Sequence, residues 1–305
     1  MSGGQGAVRL DGKVAIVTGA GRSLGRAYAL ALAAAGAAVV VNDVDPETAG
    51  GTVADIEAGG GRATAVIAPV GSSETADALV AAALESFGRL DILVANAGVL
   101  RDRVVWKMSD DDFDAVVETH LRGSFTCARS AAIQMRESGE GGRIILIGSP
   151  AGQYGSFGQT NYASVKAGLV AMARTLSLEL ARAGVTANAV IPTALSPMTA
   201  TIPAYTQVYE DYLATGEIPA EYRRDHALGT PDDVASLIVW LASDDAAGVT
   251  GQAIGIGGDR LTLYSHPKVL RTMDADGGWS PEHIGQAWHD ELASLAQASG
   301  PGAGE

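Results

Sequence analysis

Short apolar runs alternate with longer stretches of helical periodicity through the first 260 residues of a 305-residue chain. The runs at 14–17, 38–41, 64–67, 92–95, 143–147, 186–190 and 252–256 are rich in Val, Ile and Ala, and they have the length of strands buried on both faces. Helical patterns fill the intervals at 24–35, 46–58, 74–87, 111–136, 161–181 and 232–241, several closing on a glycine such as Gly36, Gly88 or Gly184. Such alternation, joined by right-handed crossovers, predicts an α/β fold. The expected form is a single doubly wound parallel seven-stranded sheet, ordered 3-2-1-4-5-6-7, with helices on both faces.

Two segments break the rhythm. Residues 197–230 are too long for a simple connection and lie beyond the sixth strand, where ligands of open α/β sheets bind. They read as a substrate lid, or else as a surface excursion with local helices. Residues 1–260, lid included, are expected to form one domain. Residues 261–305 read as a C-terminal extension: a helix opened by Ser280 and Pro281, then a Gly-rich, disordered end, SGPGAGE.

Composition narrows the function. With 35 acidic against 21 basic residues the net charge is -14, which excludes a nucleic-acid partner that relies on clustered Lys and Arg. An anionic ligand must then find local cations or backbone N–H groups. Aromatics make up only 5%, while small residues abound, which suits close helix-on-sheet packing. The single cysteine, Cys127, rules out a disulfide framework and a thiolate-pair metal site, and its setting reads as a small helix residue. No apolar signal segment opens the chain, and no run approaches the roughly 18 apolar residues of a membrane span. No metal and no membrane are therefore expected, and a cytoplasmic location.

Chemistry enters at KVAIVTGAGRSLGRAYALALAAAGAAVVVNDVD, residues 13–45: strand, glycine-rich turn, small-residue helix, second strand and acid in one βαβ unit. Glycines there allow a tight turn and close backbone approach, so a helix N-terminus can face a pyrophosphate. Thr18-Gly19-x-x-x-x-Leu24-Gly25 resembles the T-G-x-x-x-G-[IL]-G loop of the short-chain dehydrogenase/reductase family, which has a Rossmann-type sheet and a nicotinamide cofactor. Ser23 stands where that loop has its middle glycine, so the turn must tolerate a Cβ. Asp43, ending the second strand 18 residues after Gly25, suits ribose hydroxyls and repels a 2′-phosphate, which favours NAD over NADP. Arg22 argues the other way. The resemblance further implies cofactor contacts from Asn96-Ala97-Gly98, and from Val70 within Pro69-Val70, where relatives often have Asp-Val.

RIILIGSPAGQYGSFGQTNYASVKAGLV, residues 143–170, carries a strand end, a glycine-rich loop and a helix with Tyr162 and Lys166 four residues apart on one face. Tyr-x-x-x-Lys alone is common. With Ser149 placed 13 residues before Tyr162, it resembles the family's catalytic set. That resemblance implies Tyr162 as the proton-exchanging group, its phenol brought below ~10 chiefly by the Lys166 ammonium, with Ser149 donating to the substrate oxygen. Lys166 and Tyr162 would also meet the nicotinamide ribose. His120 stands where most members have a relay Asn. Its backbone carbonyl or its imidazole would complete the relay, or it merely fixes the local helix. Asn188-Ala189-Val190-Ile191-Pro192-Thr193 resembles the family's carboxamide-binding stretch, which implies a backbone contact from Ile191 and a side-chain contact from Ser196 or Thr199.

Several stretches, among them LGRAYALALAAAGAAVVVND, THLRGSF and SPEHIGQAW, resemble the (3R)-hydroxyacyl-CoA dehydrogenase branch found in peroxisomal multifunctional enzyme type 2 and in bacterial single-domain relatives. The branch implies a small-molecule substrate, a 3-hydroxyacyl-CoA or a 17β-hydroxysteroid, and a homodimer or homotetramer built on the helices bearing Cys127 and Tyr162. Arg101, Arg103, Lys107 and Arg122 are candidates for CoA phosphates, or simply solvated charges. Two alternatives are a 3-oxoacyl-carrier-protein reductase and a catalytically silent NAD(H)-binding sensor.

Overall fold

The computed structural model describes residues 8–300, so the end of SGPGAGE beyond 300 lies outside the described residues. Its strands are β1 (Val14–Thr18), β2 (Ala38–Asp43), β3 (Arg62–Ile67), β4 (Ile92–Ala95), β5 (Gly142–Ile147), β6 (Val185–Pro192), β7 (Ala253–Gly257) and β8 (Arg260–Tyr264). They form one sheet ordered β3-β2-β1-β4-β5-β6-β7-β8. The helices are α1 (Ser23–Ala34), α2 (Pro46–Ala58), α3 (Ser73–Phe87), α4 (Asp110–Val116), α5 (Gly123–Ser138), α6 (Ala151–Tyr154), α7 (Thr160–Glu179), α8 (Pro203–Thr215), α9 (Ala220–Asp225), α10 (Pro231–Ala242) and α11 (Pro281–Ala287).

Strand side chains alternate between two apolar layers. Ala15, Val17, Val39 and Val41 pack with Tyr28 and Leu32 of α1, Ile56 of α2 and Ile238 of α10. Val14, Ile16, Ala38 and Val40 face the other way, onto Leu79 of α3, Met135 of α5 and Leu169 of α7. Burial on both faces is why the strands read as continuous apolar runs. Cys127 lies in the second layer, and burial pushes its thiol up to about 11, as befits a packing residue rather than a nucleophile.

Seven strands are expected from the sequence, and the described residues form eight. The parallel part of the sheet, β1 to β7, agrees in order, but β8 turns back antiparallel on β7 through Gly258 and Asp259, with Gly258 at φ +51°. Its Leu261 and Leu263 point to solvent, so the usual sign of a half-buried strand is inverted there. The detectable signal was the Gly-Asp pair between two short alternating runs.

The long helix expected at 111–136 is continuous but not uniform: α4 and α5 are joined by a π-helical turn, Val117–Arg122, that carries His120. Such turns insert one residue into a helix and re-aim the side chains on it. Residues 197–230 contain α8 and α9, which enclose a small core of their own from Leu195, Val208, Ile218 and Leu228, with Tyr205, Tyr209, Tyr212 and Tyr222 around it. Helix α11 begins where expected, Ser280 Oγ accepting from the His283 N–H at 3.2 Å. Among the described residues no helix is long and apolar enough to cross a membrane.

Candidate active site

Two cavities open at the C-terminal ends of the strands, and both reach Tyr162. The first, about 580 Å³, starts where the strand order reverses between β1 and β4. Its floor is the turn from β1 into α1. Gly19 sits at φ +62°, and a side chain at Gly25 would run into the Gly19 carbonyl and, at 2.6 Å, into the amide of Asn96. Asn96 Nδ2 in turn donates to the carbonyls of Thr18 and Gly19 at 2.9 and 3.1 Å, and the Thr18 hydroxyl accepts from the N–H groups of Asn96 and Ala97. The Asn96-Ala97-Gly98 segment thus fastens the glycine turn to β4. Gly98 is held to glycine by another neighbour, since a Cβ there would enter the His120 ring.

Helix α1 begins with no side-chain cap and no acid in its first turn, so its free N–H groups face the cavity ready for an anion. This cradle fits a dinucleotide. Ser23 sits at φ +49°, the left-handed region that a glycine would occupy without penalty. Asp43, buried at the end of β2, accepts from the N–H of Gly21 at 2.9 Å and from those of Val44 and Asp45 at 2.8 and 3.2 Å. Its carboxylate therefore braces the turn as well as lining the cavity. Arg22 stands exposed on the rim. Leu24, Val70, Ser196, Tyr162 and Lys166 also line this cavity, whereas Ile191 and Thr199 line the second, where Thr199 Oγ1 accepts from the Ser196 N–H at 2.7 Å.

Helix α7 carries Tyr162 and Lys166, and α6 lies directly on its backbone because Gly152 leaves no room for a Cβ against Lys166 and Ala167. Ser149 leaves β5 two residues earlier than α6 begins, and its Oγ accepts from the Ala151 N–H at 3.2 Å. Lys166 Nζ donates to the Ile147 carbonyl at 2.5 Å and lies 5.4 Å from the centre of the Tyr162 ring. Burial brings this ammonium down to about 7. Burial likewise holds Tyr162 up at about 12, against a hydrogen bond with Ser149 that lowers it and with the Asp102 charge adding to the rise. The sequence expectation of a phenol brought down by Lys166 is thus reversed by burial. A lysine that burial has made ready to lose its own proton offers little charge to a phenol that is itself desolvated.

His120 is 2% exposed. Its Nε2 meets both the N–H of Val99 at 3.0 Å and the carbonyl of Val99 at 2.8 Å, while Nδ1 has no partner. Burial and then the Lys166 charge bring it down to about 3, against the Val99 contact, so the ring is neutral near pH 7. Its edge meets the Tyr162 ring with centroids 5.3 Å apart at 85°.

The second cavity, about 670 Å³, is bounded by Ser149, Tyr162, α6, the 197–230 segment and the β7–β8 hairpin. Its walls are tall side chains: Tyr154 and Tyr264, 6.0 Å apart, Tyr205 beside His226, and Met198, whose sulfur lies 3.9 Å from the Tyr162 hydroxyl.

A sequence model described as short chain dehydrogenase matches residues 13–206. The chain belongs to the short-chain dehydrogenase family. It is a nicotinamide-dependent oxidoreductase acting on CH–OH groups of a small molecule. It is 41% identical to hydroxyacyl-CoA dehydrogenase ChsB1 of Mycobacterium tuberculosis, over 93% of this chain and 90% of that one. It is 39% identical to peroxisomal multifunctional enzyme type 2 of Mus musculus, over 96% of this chain but 38% of that longer protein. A 3-oxoacyl-[acyl-carrier-protein] reductase of Synechocystis is 42% identical, over 82% of this chain and 97% of that one. A crystal structure of a short chain dehydrogenase from Mycobacterium avium superposes with a TM-score of 0.83 at 36% identity, over 98% of this chain and all of that one.

Sequence reasoning missed several residues that the fold brings to the site: Gly21, Asn161, Met198 and the tyrosines of the second cavity. Gly21, Tyr154 and Asn161 sit inside motifs already singled out and could have been found there. The others come from elements whose approach to Tyr162 only the tertiary structure sets.

Proposed function

We propose that this protein transfers hydride between NAD and the carbinol carbon of a 3-hydroxyacyl-CoA, whose hydroxyl gives up its proton to leave the 3-oxo thioester, with a 17β-hydroxysteroid as the other substrate class. The observation that carries this reading is Tyr162 standing on the partition between a cavity fit for a dinucleotide and a second one reached by Ser149. Support for the substrate class comes from the mycobacterial relative, which is named a hydroxyacyl-CoA dehydrogenase.

Gly19, Arg22, Ser23, Leu24 and Gly25 would hold the pyrophosphate, Asp43 a ribose, and Val70 with Asn96, Ala97 and Gly98 the adenosine. Lys166 and Tyr162 would meet the other ribose, and Ile191, Ser196 and Thr199 the carboxamide side. When bound, the nicotinamide supplies the acceptor or donor of hydride. Tyr162 takes the alcohol proton in oxidation and returns it in reduction. Ser149 donates to the substrate oxygen and holds it where negative charge grows. A neutral His120 offers its unpartnered Nδ1 to a relay water beside Lys166. Held neutral in the free protein, Tyr162 is ready as an acid, so oxidation should quicken as pH rises and level off above the phenol's pKa in the complex.

Asp43 supports NAD over NADP, because a 2′-phosphate would stand against a carboxylate in a half-dry cleft. Exposed Phe125 and Ile133 on α5 and Leu178 on α7 support a homo-oligomer through those helices, and the 197–230 segment would close over the substrate. The test is turnover of acyl-CoA and steroid alcohols with each cofactor, by wild type, Tyr162→Phe and Asp43→Ala. Tyr162→Phe should bind cofactor and lose nearly all turnover, and substantial turnover by it would overturn the mechanism. A wild type that prefers NADP would transfer the cofactor choice from Asp43 to Arg22. Turnover confined to carrier-protein thioesters would make it the reductase instead.

A further inference from the structure

Tyr162 is held twice, and both holds end on the same short segment of chain. The first starts at its own neighbour. Asn161, second residue of α7, has no exposure to solvent. Its Oδ1 accepts from the Tyr162 N–H at 2.8 Å, and its Nδ2 donates to the carbonyls of Arg101 at 3.0 Å and Asp112 at 3.2 Å. The Gln159 side chain does not cap the helix, so the buried amide of Asn161 satisfies a first-turn N–H that would otherwise be stranded. The second hold is the His120 ring, which packs edge-on against the Tyr162 ring and grips the backbone of Val99 through Nε2. Asp112 lies in α4, which runs directly into the π-helical turn bearing His120.

We propose that Asn161 is a positioning residue: with residues 99–101 and His120 it closes a ring of contacts that fixes the Tyr162 hydroxyl between the two cavities. The backbone of Tyr162 is tied to Arg101 through Asn161, and its ring is tied to Val99 through His120. A single residue, Leu100, separates these anchors. A shift of the segment therefore moves both the start of α7 and the imidazole. Outside the ring, Arg103 donates its N–H to the Gly158 carbonyl at 2.8 Å, and Gln159 Nε2 donates to Asp102 at 2.9 Å, so the segment continues along the loop before α7. The charged and titratable groups around Tyr162 are Lys166 on its own helix, His120 on the π-helical turn and Asp102 on the segment. Asp225, His226, Arg260, Tyr154, Tyr205 and Tyr264 line the far side of the second cavity.

The inference rests on Tyr162 being the proton-exchanging group, which Tyr162→Phe tests by itself. Asn161→Ala removes all three bonds. Asn161→Asp keeps the acceptor for the Tyr162 N–H and the volume, loses donation to two carbonyls, and serves as the second variant if the first does not fold. Single-turnover hydride transfer should fall about tenfold or more in either variant, since a displaced reacting group loses rate steeply. NAD affinity should fall much less than the rate, because Gly19, Ser23 and Asp43 stand outside the ring, although Tyr162 and residues 99–101 border the same cavity. The pH midpoint of oxidation should move upward, because a displaced Tyr162 hydroxyl loses the Ser149 hydrogen bond that favours the phenolate. Paired with His120→Ala, the loss should be less than additive, since either cut opens the same ring. A merely structural role would lower the melting temperature alone. A folded variant with wild-type rate and midpoint, or losses that add in full, would overturn the proposal, even with Tyr162→Phe inactive.

Discussion

The two cavities that meet at Tyr162 are of similar size but built from different materials. The first has a floor of backbone and short residues at the ends of β1, β2 and β4, each bonded to the next: Asn96 to the Gly19 carbonyl, Gly21 to Asp43, Ala97 to Thr18. The second is walled by rings and a thioether that project from α6, the 197–230 segment and the β7–β8 hairpin, and they touch one another mainly through faces and edges. A backbone wall has a shape fixed by the sheet and tolerates no added atom. A side-chain wall has a shape fixed by residue choice, so one substitution redraws it while the fold stands.

The largest effect should come from adding atoms to the backbone wall. Gly25→Val would push a branched side chain into the Gly19 carbonyl and the Asn96 amide, opening the turn. Cofactor binding, followed by reduced-nicotinamide fluorescence, should disappear. Thermal unfolding should show a loss of about 1–3 kcal/mol, typical of overpacking. Normal binding by this variant would break the contrast, since the wall would then yield as a side-chain wall does.

A pH titration sharpens the contrast next, because His120 is the buried histidine of the first cavity. Folding lowers it from 6.5 to about 3, so between those values the unfolded chain binds a proton that the folded one refuses. Stability is therefore full above pH 6.5 and is lost as pH falls toward 3, at about 1.4 kcal/mol per unit at most, a few kcal/mol in all. His120→Gln should flatten that part of the curve relative to wild type. Equal slopes in the two proteins would mean the imidazole reaches water more easily than its burial indicates.

The contrast also accounts for what the sequence made legible. Backbone walls demand glycine and small residues at fixed spacing, so Gly19, Gly25, Gly98 and the order of β1 to β7 could be read directly. Tyr162, Lys166 and Ser149 were legible because one helix and one adjoining loop set their separation. Strand β8 was not, because its Leu261 and Leu263 face solvent at the sheet edge and give no burial pattern. Nor was the π-helical turn at His120, whose inserted residue leaves the helical periodicity on either side intact. The proton affinity of Tyr162 went the wrong way for a related reason: spacing gives the neighbour, Lys166, but not the water excluded from both groups.

On the side-chain wall a smaller, selective effect is expected. Tyr264→Ala, on the strand that the sequence did not announce, removes a ring from the second cavity and leaves the first untouched. The KM for substrate should rise about fivefold, on the scale of losing one or two buried methylenes, with NAD affinity unchanged. An equal change in NAD affinity would mean the two cavities are mechanically one.

The smallest effect concerns the one place where the backbone wall breaks its own rule. Ser23 holds φ +49° with a Cβ, a conformation that costs an L-residue about 1–2 kcal/mol. Ser23→Gly removes that cost but loosens the unfolded chain, which takes back about 0.4–1 kcal/mol, so the net should be a stabilisation of about 0.5–1 kcal/mol. Ser23→Ala keeps the Cβ and therefore the strain, and should not share the gain. Comparing the two separates backbone from hydroxyl. If only strain matters, Ser23→Gly melts higher, Ser23→Ala melts like wild type, and both bind NAD normally. If the hydroxyl meets a phosphate, both variants lose NAD affinity by a similar factor whatever their stability, and the strain is retained for the contact that it aims. A Ser23→Gly protein no more stable than wild type would show that the turn re-forms around either residue, which a rigid backbone wall should not allow.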